Sequence, residues 1–172
     1  MKKISLLLLV VVLFNSCSIK FNGTSIPTEM KTVNVLFFEN NATLVVPSMS
    51  INLTEALKNI IRNQSRLNIT TNDPNAVFSG NIINYDIRPT TIIDANNGGI
   101  ANTSPMNRMT IRVNVKYTNN LDPKASFEEP IERFIDFPTS GANFAQQEPE
   151  LNRKVIDLIT QDIFKRAFEN SW

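Results

Sequence analysis

The side chains able to do chemistry are few. The chain has one cysteine, Cys17, and no histidine among its 172 residues. Without imidazole it lacks the commonest general base, the commonest metal ligand and the middle member of a hydrolase triad. A lone thiol makes no disulfide and no cysteine-based metal site. Carboxylates such as Asp86, Asp94 and Glu132 have the chemistry of a glycosidase pair, but nothing in their spacing singles them out. No phosphate-binding glycine loop is present. The residues therefore predict no catalytic group, no metal site and no cofactor. What remains is a row of cations, Arg108, Arg112 and Lys116, which strand alternation would align as a contact for an anionic ligand. The overall balance of 17 basic and 16 acidic residues excludes a nucleic-acid binder, which would carry a strong basic excess.

Cys17 gains meaning from what precedes it. Lys2 and Lys3 are followed by an apolar run from Leu6 to Phe14 and then by Asn15, Ser16 and Cys17, the layout of a secretory leader ending at a cysteine. The run falls well short of the roughly 20 apolar residues that a spanning helix needs. This arrangement resembles the lipobox of bacterial lipoproteins, with Phe14 where that pattern prefers Leu. The resemblance implies that the Cys17 thiol receives a diacylglyceryl group, that the leader is cut before it, and that the new amine is acylated. Several acyl chains would anchor the protein durably, at about 0.8 kcal/mol per buried methylene. Residues 1–16 then form the signal peptide, residues 17–31 a lipidated tether broken by Gly23 and Pro27, and residues 32–172 a single domain.

The domain must position the cationic row, so its elements come next. Val33, Val35 and Phe37 alternate with Thr32, Asn34 and Leu36, which predicts a strand over Thr32 to Glu39. Ser48 or Ser50 then suits the N-cap of an amphipathic helix carrying Leu53, Ala56, Leu57, Ile60 and Ile61 on its apolar face. Leu67 to Thr71 reads as a short strand closed by the turn residues Asn72 to Asn75. A longer strand over Ala76 to about Arg88 places Val77, Ser79, Asn81, Ile83, Tyr85 and Ile87 on one face. Phe78, Gly80 and Ile82 take the other, and Gly80 implies a bulge or a close backbone approach. Pro89 reads as an interruption, with Thr90 to Ile93 as a resumption of the strand. Asp94 to Asn107 reads as the longest loop, a stretch that is either mobile or in contact with a partner.

The hairpin after it is the best determined part. Met109, Ile111, Val113, Val115 and Tyr117 alternate with Arg108, Thr110, Arg112, Asn114 and Lys116. The return strand runs from Phe127 to Phe137. If Tyr117 lies opposite Phe127, an antiparallel register sets Lys116 against Glu128, Arg112 against Glu132 and Arg108 against Asp136. Those acids would neutralise the cationic row. The same register puts Glu129 and Arg133 on the buried face, which with Pro130 implies an edge strand or a bulge. After a loop over Thr139 to Gln147, Pro149 suits the first turn of a final helix carrying Leu151, Val155, Leu158, Ile159 and Ile163, and Trp172 is expected to pack against the domain. The fold class is α+β, with two helices packed on one face of a mostly antiparallel four- to five-stranded sheet.

Several stretches, in this order, resemble the LptE family of lipopolysaccharide-assembly lipoproteins. They are Gly23-Thr24-Ser25-Ile26-Pro27, Val35 to Asn41, Leu53-Thr54-Glu55-Ala56-Leu57, Leu121-Asp122-Pro123 with Phe127-Glu128, Arg133 with Asp136-Phe137-Pro138, and Asp162-Ile163-Phe164 with Ala167. The resemblance implies a non-enzymatic lipoprotein that assembles with and plugs the LptD β-barrel, with lipopolysaccharide itself as a further contact. Ser18 lacks the aspartate that retains lipoproteins at the inner membrane, and Ser18-Ile19-Lys20 lacks an acidic surface-export run, which implies the periplasmic face of the outer membrane. The second reading is an independent periplasmic lipoprotein that binds a soluble ligand or the cell wall.

Overall fold

A computed structural model describes residues 26–94, 102–139 and 143–169. The first strand, β1 (Thr32–Val35), buries Val33 and Val35 as the alternation requires. It stops earlier than expected. Leu36 and Phe37 swing outward, with Phe37 57% exposed, and Phe38 turns into the core at 0% exposure in place of Phe37. The Phe38 amide donates to Thr54 Oγ1 at 3.1 Å, so the break in the strand is satisfied by the helix above it. The strand line then resumes as β2 (Glu39–Asn40).

Helix α1 (Met49–Gln64) buries Met49, Leu53, Leu57 and Ile61. Neither serine caps it through its side chain: Ser48 occupies the N-cap position without a side-chain bond, and Ser50 lies buried inside the first turn. A two-residue strand, β3 (Asn68–Ile69), follows and pairs parallel with β1. At the turn before the next strand, Asn75 Oδ1 accepts from the amides of Lys31 and Thr32 and from Thr32 Oγ1, which ties that turn to the start of β1.

The remaining strands are long. β4 (Ala76–Asp94) runs through Pro89, and β5 (Asn102–Asn119) runs through Pro105, so most of the expected loop over Asp94 to Asn107 is strand; residues 95–101 lie outside those described. β6 (Phe127–Pro138) returns beside β5 after a short 3₁₀ turn at Pro123–Ala125. The sheet order is β3-β1-β4-β5-β6, with β2 also on β4. The β4–β5 and β5–β6 pairs are antiparallel and carry most of the ladder, while the short pairs of β1, β2 and β3 are parallel. The β5–β6 register has Tyr117 opposite Phe127, as read from the charge pattern.

A bulge between Ile82 and Asn84 re-phases β4. Phe78 and Ile82 before it and Tyr85 beyond it are all buried, with Ile87 packed beside them, whereas Ile83 is exposed. The expected grouping of Tyr85 and Ile87 with Val77 and Ile83 is thereby corrected. Gly80 is a close approach and not the bulge itself. A Cβ there would fall on the Asn114 carbonyl oxygen and within 2.8 Å of Phe38, at a φ of +156°.

Helix α2 (Phe144–Phe168) begins earlier than expected, so Pro149 sits inside it and not in its first turn. Asn143 opens the helix, its side chain accepting from the Ala145 amide at 3.2 Å. Both helices cover the inner face of the sheet. Phe168 meets Phe78 and Tyr117 edge-on, each with ring centroids 5.9 Å apart, and closes the core at one end. Trp172 lies outside the described residues.

Candidate interaction surface

Strand pairing decides where every backbone group of the sheet points. Before the bulge, Leu36 N bonds Phe78 O and Asn41 N bonds Ile82 O, so the inward-facing residues of β4 turn their backbone toward β1 and β2. After the bulge that direction passes to Tyr85, Ile87 and Pro89. Continuing the alternation across the sheet turns Pro130 and Pro138 outward from β6, and Pro105 toward β6 just past the pair Met106–Pro138. Thr139 Oγ1 donates to Pro105 O at 3.0 Å, as that direction requires. All four prolines therefore sit where no ladder amide is needed, which is why Pro89 fails to interrupt β4.

The cationic row lies on the outer face, which neither helix covers. Arg108 donates to Asp136 through Nε at 2.7 Å and Nη2 at 2.9 Å, and its guanidinium stacks 3.8 Å over the Phe134 ring. The arginine bond holds the Asp136 carboxyl below the usual carboxylate range. Lys116 Nζ stands 3.7 Å from Glu128. Arg112 is opposite Glu132 in register, yet among the described residues no ion pair joins them. The row is thus largely neutralised, with Arg112 its one free cation among the described residues. Around it the face is mostly polar, with Asn81 opposite Asn114, Asn84 opposite Arg112, and Asp86 opposite Thr110, and with Phe134 and Ile83 as its exposed apolar side chains.

Asp86 and Glu132 are not brought together, and the side chain of Asp94 lies outside the described ones. Asp86 pairs with Arg88, while Glu132 lies on β6, beyond the intervening β5. Among the described residues no three Asp, Glu, His or Cys side chains gather to hold a metal. Cys17 lies outside the described residues, which begin at Ile26. Arg66 Nη2 donates to Ile26 O at 3.1 Å, fixing that end of the chain beside the C-terminus of α1.

Two features escaped the sequence reading. Glu129 and Arg133, facing inward from β6, reach α2, with Arg166 3.0 Å from Glu129 and Arg133 2.6 Å from Asp162. The spacing of Asp162 and Arg166 by one helical turn was the available signal. The other is the β4–β5 ribbon, which continues from Thr90–Met106 to Asp94–Asn102 past the end of β6.

The chain matches the lipopolysaccharide-assembly family LptE over residues 30–167. It belongs to that family. The LptE match covers all described elements except the last residue of α2. No curated protein matches the chain in sequence. Solved structures are similar to it at low identity. Lipoprotein B from Nitrosomonas europaea is 14% identical with a TM-score of 0.51, covering 87% of this chain and 89% of that one. A homologue of a neuraminyllactose-binding hemagglutinin from Helicobacter pylori is 12% identical with a TM-score of 0.51, covering 87% and 88%. A minor lipoprotein from Acinetobacter baumannii is 20% identical with a TM-score of 0.47, covering 80% and 91%. Among the described residues no helix is long and apolar enough to cross a membrane.

Proposed function

We propose that this LptE-family chain is a non-enzymatic lipoprotein of the outer membrane, held on its periplasmic face by lipid on Cys17, that assembles with and plugs the LptD β-barrel. Family membership supports a role in lipopolysaccharide assembly. The observation that carries the plug reading is the uncovered outer face of the sheet, mostly polar and nearly charge-balanced, continuing into the β4–β5 ribbon. The lumen of a membrane barrel is polar, so a plug needs a polar face that tolerates burial with its charges already paired. The ribbon as far as Asp94 and Asn102, and the start of α2 near Asn143, are the elements proposed to meet the inner wall. Arg112 is the first candidate for contact with the anionic groups of lipopolysaccharide, with Arg108 and Lys116 beside it.

The tether sets the geometry of anchoring. Nine residues from Cys17 to Ile26 reach at most about 30 Å when extended. They join the domain at the end of the sheet where β1 begins, and the ribbon projects from the other end. Extraction in gentle detergent is expected to yield the chain together with a large β-barrel, and recovery only as a free monomer would overturn the reading. Cys17→Ala should release the protein from membranes only where the barrel is missing.

A further inference from the structure

We infer that the start of α1, with the loop leading into it, is a membrane-contact surface that rests apolar side chains on the lipid leaflet holding Cys17. Leu36, Phe37, Leu44, Val45 and Ile51 are each 45–57% exposed, whereas Leu121, Phe134 and Leu158 are spread over the β5–β6 turn, β6 and α2. Hydrogen bonds draw the five to one place. Phe38 N donates to Thr54 Oγ1 at 3.1 Å, which sets the Leu36–Phe37 corner beside the second turn of α1. Met49 N and Asn40 Nδ2 donate to Val46 O at 3.1 and 3.4 Å, which folds the Leu44–Val45 loop onto β2 and onto the first turn, where Ile51 faces outward. Single exposed apolar residues need no explanation, but a cluster marks a contact.

Lipid is the occupant that the chain's own anchoring supplies, so the assignment rests on the acylation of Cys17 proposed above. Ile26 is held at the C-terminus of α1, and Ile51 stands about 20 Å along the helix from there. The tether spans at most about 30 Å from Ile26, which brings the leaflet that receives its acyl chains within reach of the patch. The polar lumen of a barrel offers such a patch no match, whereas the acyl boundary of a leaflet does. No Lys or Arg occurs between Lys31 and Lys58, and the charges in that stretch are Glu39 and Glu55. The contact is therefore made by apolar area and not by attraction to anionic headgroups, so zwitterionic lipid suits it. One patch of this size is too weak to hold a chain alone, and it acts as a second signal beside the acyl chains.

Depth quenching on the full lipoprotein tests the surface. Acylation blocks the sole native thiol, so Val45→Cys, Ile51→Cys and Phe134→Cys each take one fluorophore at the new position. The labelled chains are placed in phosphatidylethanolamine–phosphatidylglycerol vesicles with nitroxides on the acyl chains. The probes at positions 45 and 51 should be quenched at least threefold more than the probe at 134, equally in low and high salt. Equal quenching at all three, none at 45, or loss in high salt overturns the proposal. Leu44→Asp, at an exposed position, should cut quenching at 51 at least fivefold, and unchanged quenching overturns it. Shielding of the probe at 45 that grows with protein concentration without vesicles overturns it in favour of a second copy. A photocrosslinker at 45 that captures the barrel and no lipid in native membranes overturns it in favour of a protein partner. Fluorophore on Cys17 of the wild-type chain overturns the acylation reading instead. Quenching at 45 in a Cys17→Ser chain at saturating lipid then still decides the patch.

Discussion

Among the described residues, β6 and the far half of β4 each leave one side of a strand unpaired, and they are finished differently. On β6, Pro130 and Pro138 face outward without donors, and Glu129 and Arg133 are pinned to Arg166 and Asp162 of α2. Arg166 also lies 4.5 Å over the Phe127 ring. On β4 beyond the bulge, Pro89 is the sole proline, Asp86 and Arg88 bind each other, and Tyr85 Oη donates to Glu148 of α2 at 2.6 Å. Proteins blunt edges with prolines and inward-pointing charges where pairing would be harmful. β6 has both devices, and β4 leaves donors in place. One edge is closed by its chemistry, and the other is left usable.

The largest expected effect separates the sealed half of β4 from the open half. Gly80→Ala adds a methyl group onto the Asn114 carbonyl and against Phe38, the residue that leads into β2. Overpacking and backbone strain together should cost about 3 kcal/mol. Arg88→Ala on the open half should cost less than about 0.5 kcal/mol, as exposed substitutions do. Denaturant midpoints of the two variants measure the contrast. A Gly80→Ala cost below about 1 kcal/mol would mean that the near half is not sealed by close packing.

The two tyrosines of the chain report on the same division, because Tyr117 lies under the sealed half and Tyr85 under the open one. Burial pushes the Tyr117 phenol up to about 12. Tyr85 is raised as well, first by burial and then by its bond to the Glu148 carboxylate. A phenol that ionises less readily when folded contributes stability in full below its ordinary value near 10 and loses it as pH climbs from there through the folded value. Tyrosinate absorbance should therefore appear together with unfolding between pH of about 10 and 12. Tyr117→Phe should leave neutral stability nearly unchanged and move the alkaline midpoint upward. Tyr85→Phe removes a donor from Glu148 and should cost about 1 kcal/mol at neutral pH. Titrating tyrosines in a folded chain below pH of about 10 would contradict the burial of both.

Which parts of this were readable in advance follows from how local their causes are. The β5–β6 register was legible because five alternating apolar residues and three opposed charge pairs agree on one alignment. The inward Glu129 and Arg133 looked like a mismatch, since their partners Asp162 and Arg166 lie on a helix about 30 residues further on. Pro89 and Pro105 read as breaks because only the pairing of β4 with β5 reveals which way their backbone points. The swap of Phe37 for Phe38 depends on Thr54 accepting a bond across the helix, a tertiary event that alternation does not encode. For the surface, the cationic row was visible and so were its acids, whereas the free condition of Arg112 needed side-chain geometry.

The smallest expected effect tests whether β6 is held by charge or merely by its ladder. The Arg133 Nε to Asp162 Oδ2 contact is short at 2.6 Å, but its geometry leaves that buried oxygen without a hydrogen bond. Arg133 is half exposed and Asp162 about a quarter exposed, so solvent screens much of the attraction. A double-mutant cycle with Arg133→Ala and Asp162→Ala should return a coupling of about 0.5–1 kcal/mol, falling in high salt. A coupling of zero would show that the ladder and Phe127, Ile131 and Ile135 alone keep β6 against α2. The charges would then act only to keep other strands away, and the contrast between the two edges would rest on their prolines.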